Sequence, residues 1–251
     1  MKKSLKVPEF VSEMSRNELL FGAFEGVIII SLFGYFFYRS VIMTILMIPL
    51  VYFYLVYKGK GIKEKKKHIL LVQFKELLNS VNGSLQAGYS VENAFMEADK
   101  DLRQLFGPNS EIIKEVQIIK RGIDNNIDII GLIEDFAFRS GIEEIESFAG
   151  ILAVGRKSGG NLSSNMESYV RVIEEKTGVM QEIDTMISAR RFEQRIMNVI
   201  PFLIIFYVEL TNKGFFAVLY HNIFGNLVMT ITMAIYILSV YLSDKIIDIR
   251  I

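Results

Sequence analysis

Apolar residues along the chain gather into four dense runs, and between the second and third run they recur only at helix-face spacing. Residues 19–38 (LLFGAFEGVIIISLFGYFFY) and 41–57 (VIMTILMIPLVYFYLVY) make the first pair; 196–210 (IMNVIPFLIIFYVEL) and 223–242 (IFGNLVMTITMAIYILSVYL) make the second. Each approaches the roughly 20 residues with which a helix crosses about 30 Å of hydrocarbon. Only Arg39 and Ser40 separate the first two runs, which predicts a tight hairpin. Pro49 and Pro201 lie inside runs, where a kink is tolerated if neighbours satisfy the freed carbonyl.

The intervening segment is polar with a 3.6-residue rhythm. Leu70, Phe74, Leu77, Leu78, Val81 and Leu85 share one face, as do Val91, Ala94, Phe95, Ala98, Leu102 and Leu105. Gly88 ends the first of these helices in a left-handed conformation, Ser90 caps the second, and Glu92 complements its positive end. Gly107 and Pro108 precede a third helix at 111–123; a fourth is expected at 127–139 and a fifth at 142–156, with Gly141 between them. A sixth, carrying Leu162, Met166, Tyr169, Ile173, Met180, Ile183 and Ile187 on one stripe, is long enough to run toward the third apolar run. No alternating strand pattern occurs. The expected class is all-α: four transmembrane helices with an antiparallel six-helix cytoplasmic bundle inserted between the second and third. The domains read as an N-terminal segment 1–18, a transmembrane hairpin 19–57, a helical domain 58–195, two transmembrane helices 196–243 and a tail 244–251.

Charge sets the orientation. The chain of 251 residues is 51% hydrophobic yet 22% charged, so its charges must be segregated. Lys58, Lys60, Lys63, Lys65, Lys66 and Lys67 follow the second run, and Arg190, Arg191 and Arg195 precede the third. Under the positive-inside rule both flanks of the middle segment face the cytoplasm. The opposite loops offer only Arg39 and Lys213, while Lys2, Lys3, Lys6 and Arg16 place the N-terminus inside. The expected location is the cytoplasmic (inner) membrane, with both termini and the main domain on its cytoplasmic side. Tyr35, Tyr38, Tyr52, Tyr54, Tyr57 and Tyr220 suit aromatic belts. The first 18 residues are polar and no short apolar region precedes a small-residue cleavage site, so no cleaved signal peptide is expected.

Candidate chemistry is sparse. With 28 Lys+Arg against 28 Asp+Glu there is no bulk attraction for nucleic acid. Cys is absent, and the two histidines, His68 and His221, stand far apart, so no metal site, cofactor site or catalytic set is expected. Gly150 to Ser158 (GILAVGRKS) approaches a phosphate-loop pattern, but Arg156 separates Gly155 from Lys157 and the preceding residues read as helix, not strand. Ser158-Gly159-Gly160-Asn161 reads as a tight turn, with Asn161 capping the sixth helix. Glu25 and Glu209 are carboxylates inside runs, where charge is expensive and a functional role is the default question. Glu209 has Lys213 four residues on, the favourable order for a helical ion pair, and Glu25 can face a helix interface. Lys65, Lys66 and Lys67 serve as a topology anchor and can also meet anionic headgroups. Glu143, Glu144 and Glu146 complement a helix N-terminus, unless they also form a docking patch. Asn82-Gly-Ser84 and Asn161-Leu-Ser163 match the glycosylation pattern, which a cytoplasmic location makes irrelevant.

The order of runs, together with LLNSVNGSLQAGYSVENAF (77–95) and FAGILAVGRKSGGNLSSNMESYVRVIEEK (148–176), resembles the type II secretion system F domain family, and within it the TadB-like proteins. The resemblance extends over nearly the whole chain. It is carried by the turn at Gly88, Tyr89 and Ser90, by the turn from Ser158 through Gly159, Gly160 and Asn161 to Leu162, by the Arg-rich approach to Ile200-Pro201, and by the short tail after the last run. The aromatic loop at 213–222 and Glu209 have no counterpart in that pattern. The resemblance implies a non-enzymatic inner-membrane platform of Flp/Tad-type pilus assembly. Its implied partners are a cytoplasmic secretion ATPase, the pilin drawn from the bilayer, and a second, TadC-like platform or a second copy of itself. Two other classes stand beside it. A transporter or membrane enzyme using Glu25 would need more polar groups around a midplane cavity. A helical signalling protein would need a substantial external sensor, and the outer loops are short.

Overall fold

The computed structural model describes residues 16–158, 162–212, 214–220 and 222–247. Among these the chain is all-helical, with no strand. Nine α-helices follow in order: α1 (Arg16–Tyr38), α2 (Val41–Met47), α3 (Leu50–Gln86), α4 (Val91–Phe106), α5 (Glu111–Asp124), α6 (Ile129–Ser140), α7 (Glu143–Ser158), α8 (Leu162–Thr211) and α9 (Ile223–Ile247), with a short 3-10 turn at Phe215–Val218. The chain divides into two compact units, Glu64–Gln181 and Met1–Lys63 with Glu182–Ile251. The boundaries expected at 58 and 195 fall inside α3 and α8, which are unbroken there.

The Glu64–Gln181 unit is built on one apolar core to which six helical stretches contribute. Phe74, Leu77, Leu78 and Val81 of α3 share it with Phe95, Ala98 and Leu102 of α4, Ile112, Val116 and Ile119 of α5, Ile133 and Phe136 of α6, Phe148 and Leu152 of α7, and Met166 and Ile173 of α8, all at most 1% exposed. Each full burial of such a side chain contributes about 1.5–3 kcal/mol. Phe74 stands at its centre, edge-on to Phe136 and Phe148 at ring separations of 6.0 and 5.6 Å. The turns follow from sequence chemistry. Gly88 (φ +90°) closes α3, and the Ser90 hydroxyl accepts from the Asn93 N–H at 3.3 Å to open α4. Ser110 does not cap α5 with its side chain; buried Gln73, reaching over from α3, accepts the Ile112 N–H at 3.2 Å. The fourth helix begins at Ile129 rather than 127, because Asn126 takes a left-handed turn (φ +58°) and Ile127 N–H bonds back to Gly122. The fifth runs on to Ser158, two residues past its expected end.

Among the described residues three helices contain stretches long and apolar enough to cross a membrane: Asn17–Tyr38 and Ile223–Ile247 of the other unit, and Ser163–Thr211, whose residues from Glu182 on belong to it. A fourth crossing is counted if the pair α2 and α3, bent by 45°, forms one span. The second apolar run is therefore not one kinked helix but two. Pro49 lacks an N–H and its ring crowds the carbonyl four residues back, that of Ile45, which accepts the Ile48 N–H instead at 3.1 Å. Pro201, by contrast, sits within continuous α8. Small residues permit close approach: a Cβ on Gly34 would fall 2.1 Å from Thr44 Oγ1, and one on Gly225 would fall 2.3 Å from the Leu219 carbonyl oxygen. Phe33, Phe36 and Phe202 form an aromatic knot with Tyr236. Tyr38 and Tyr220 depart from the belt expectation. Both are buried, Tyr38 hydrogen-bonded to Thr230 at 2.8 Å and Tyr220 donating to the Phe36 carbonyl at 2.8 Å. Inside the unit a phenol bonds a partner that hydrocarbon could not offer.

Candidate functional site

Polar groups of the apolar unit gather in two clusters. In one, Lys58 of α3 is ion-paired to Glu25 of α1 and lies over the Tyr54 ring. Tyr57, next to Lys58, donates its hydroxyl to Asp244 of α9 at 3.3 Å, and Asp244 also accepts from Gln194 of α8 at 2.5 Å. In the other, Arg39, in the α1–α2 hairpin, pairs with Glu209 of α8 at 2.8 Å. Its guanidinium also faces the rings of Tyr35 and Tyr220, 5.8 and 5.4 Å from their centroids. Arg39 has φ +45°, a backbone region that costs a non-glycine residue about 1–3 kcal/mol. Around this group lies a cleft of about 320 Å³, lined by Tyr35, Phe36, Arg39, Phe206, Glu209 and Tyr220.

Both sequence-identified carboxylates are thus paired, with partners distant in the chain. Glu25 and Lys58 are 33 residues apart. The partner described for Glu209 is Arg39, whereas Lys213, expected from its i,i+4 spacing, lies outside the described residues. The sequence marks Arg39, Lys58 and Tyr220 only as loop, basic-cluster and belt residues and does not single out Asp244; opposite charges in or beside separate apolar runs are the one signal for the ion pairs.

The turn residues and basic clusters are placed as follows. Tyr89, between Gly88 and Ser90, is half exposed, its N–H bonded to the Ser84 carbonyl at 3.1 Å. The helix carrying the phosphate-loop-like stretch extends through Ser158; Gly159, Gly160 and Asn161 lie outside the described residues. Arg156 there ion-pairs with Asp128, the residue preceding α6, and with Glu92 in the first turn of α4. A cation in the last turn of one helix thereby meets acids at two helix starts. Lys65 and Lys66 are exposed on α3, while Lys67 donates to the Gly141 carbonyl at 2.7 Å. On α8, Arg191 and Arg195 are exposed and Arg190 pairs with Glu193 at 3.1 Å. Glu144 pairs with Lys176 of α8, and its backbone carbonyl accepts the Tyr169 hydroxyl. Burial, reinforced by the Glu144 carboxylate, pushes that phenol up to about 12. Among the described residues no three His, Asp or Glu side chains converge as a metal site.

No family model, curated protein or solved structure matches this chain. What the described groups supply is ion pairing, hydrogen bonding and aromatic surface.

Proposed function

We propose that this chain is a non-enzymatic membrane platform of a type II secretion or Flp/Tad-type pilus assembly machine, set in the cytoplasmic membrane with both termini and the helical domain inside. It couples a secretion ATPase to the extraction and polymerisation of pilin. The observation that supports this best is the order of elements: apolar helices, a compact helical unit with its own core, then apolar helices again, with α3 and α8 each running unbroken from one unit into the other. In this reading the Glu64–Gln181 unit is an antiparallel six-helix bundle that receives the ATPase. Displacement of the bundle passes along α3 and α8 to the spans, which lift pilin subunits into a filament. A TadC-like platform or a second copy completes the assembly. Lys65, Lys66, Arg190, Arg191 and Arg195 hold the orientation.

Deletion of the gene tests it. Surface filaments are expected to vanish while pilin is still made, processed and retained in the membrane, and the bundle should crosslink to the secretion ATPase in intact membranes. Normal filaments in a deletion strain with no substitute platform would end this reading. Normal filaments with a transport defect reproduced by Glu25→Gln would put a transporter in its place.

A further inference from the structure

We propose that the cleft between the α1–α2 hairpin and the end of α8 binds the headgroup of a zwitterionic aminophospholipid, its phosphate on Arg39 and its ammonium on Glu209. This rests on the chain lying in a bilayer and not on the pilus reading.

Three observations converge. The first is depth. Arg39 directly follows the last residue of α1 and Glu209 lies in the last turn of α8, so both charges sit where apolar helices end, at the level of lipid headgroups. The second is valence. The Arg39–Glu209 pair, 2.8 Å apart, is partly accessible, its side chains 36% and 24% exposed. A guanidinium has five N–H donors and a carboxylate about four acceptor sites, so one mutual bond leaves both with capacity for a ligand. A phosphate and an ammonium joined by a short linker match this adjacent cation and anion in sign and order. The third is the wall of the cleft. Ile205 and Leu210 line it with Phe206 and Tyr35, and the last three are more than half exposed, giving an acyl chain a path down the outside of the helices.

The same chemistry selects among headgroups. A glycerol headgroup offers Glu209 no cation. A choline headgroup offers a cation without N–H donors, and the rings of Tyr35 and Tyr220, which would otherwise attract a quaternary ammonium, already face Arg39. An ethanolamine headgroup satisfies both charges.

The test uses the full chain in lipid nanodiscs holding equal parts of phosphatidylethanolamine, phosphatidylcholine and phosphatidylglycerol with identical acyl chains. Lipid retained on release into mild detergent is counted by native mass spectrometry. Ethanolamine lipid should be enriched several-fold over the other two. Glu209→Gln should remove its advantage over phosphatidylglycerol, and the double variant Arg39→Gln with Glu209→Gln, which leaves no unpaired charge, should lose retention with helicity unchanged by circular dichroism. Leu210→Trp, which leaves both charges in place, should lower retention by filling the cleft mouth. Equal retention of the three lipids by the native protein would overturn the proposal. So would an undiminished ethanolamine preference in both Glu209→Gln and Leu210→Trp, or displacement of the lipid by soluble phosphoethanolamine at equal concentration, which would point to a water-soluble ligand. These readings are made on purified protein and are blind to whether filaments form.

Discussion

Two glycines in the Glu64–Gln181 unit separate intrinsic helix preference from packing. Gly150, in the middle of α7, has no atom within 4 Å of where a Cβ would stand; at Gly122, in α5, a Cβ would stand 2.4 Å from Leu132 Cδ2 and 2.6 Å from Leu132 Cδ1. Alanine relieves the backbone entropy of glycine at either site, a gain of roughly 0.5–1 kcal/mol. At Gly150 nothing opposes it, so Gly150→Ala should stabilise the unit by that amount. At Gly122 the new methyl must displace Leu132, which is 7% exposed and belongs to the core, and overpacking of this kind costs about 1–3 kcal/mol. The clash therefore matches or outweighs the gain, and Gly122→Ala should range from neutral to roughly 2 kcal/mol destabilising. Hydrogen exchange on the full-length protein, resolved to peptides of the core helices, reads this unit alone. At about tenfold per 1.4 kcal/mol, core amides should slow a few-fold in Gly150→Ala. The two variants should differ by about 5- to 150-fold. Core exchange in Gly122→Ala as slow as in Gly150→Ala would refute the close approach of α5 and α6.

Phe74→Ala removes the ring at the centre of the core, a loss of about 3–5 kcal/mol, and by the same exchange measurement should abolish protection throughout the unit while leaving α9 protected. Asp99, 7% exposed, is pushed up by burial, but bonds from Arg103 at 3.0 Å and Lys120 at 3.2 Å outweigh this and hold its carboxyl below the ordinary value of 3.8. A carboxyl depressed by folding contributes stability that is present above the unfolded-state pKa and lost as pH falls through the folded-state value. Exchange in α4 and α5 should therefore accelerate below about pH 4 in the native protein, and this acid sensitivity should shrink in Asp99→Asn.

Legibility in the sequence followed the range of the interactions. The core helices were readable because amphipathic spacing is a local property: Phe74, Leu77, Leu78 and Val81 lie on one face whatever packs against it. The turn at Gly88 was readable for the same reason, since glycine there meets a conformational demand and Ser90 caps within three residues. Pro49 showed the limit of local reading. Its missing N–H predicts a disturbance, but whether the helix kinks or breaks depends on where the Ile45 carbonyl finds a donor, and here Ile48 supplies it. The cap of α5 lay beyond reach altogether, because Gln73 is 39 residues from the N–H it accepts. The same holds for the candidate site. Glu209 had a plausible local partner in Lys213, while its described partner is Arg39, 170 residues away by number.

That placement of polar partners has a physical logic in the apolar unit. Lipid tails are as apolar as leucine, so burying hydrocarbon between helices in a bilayer gains little, and helix association must come from close packing and polar contacts. The unit uses both. Packing comes from Gly34 against Thr44 and from the rings of Phe33, Phe202 and Tyr236. Of the two ion pairs, Arg39–Glu209 stands where α1 and α8 end, where water and headgroups lower the penalty of burying charge, while Glu25–Lys58 lies within α1 and α3. Glu25 ties α1 to α3 and Asp244 ties α9 to α8 and α3, while Arg39 and Tyr38 of the first apolar pair reach Glu209 and Thr230 of the second. Register between the two pairs of helices is thus fixed by directional bonds. Neutralising Glu209 alone leaves Arg39 without its partner in a partly exposed cleft, a cost in stability that neutralising both avoids.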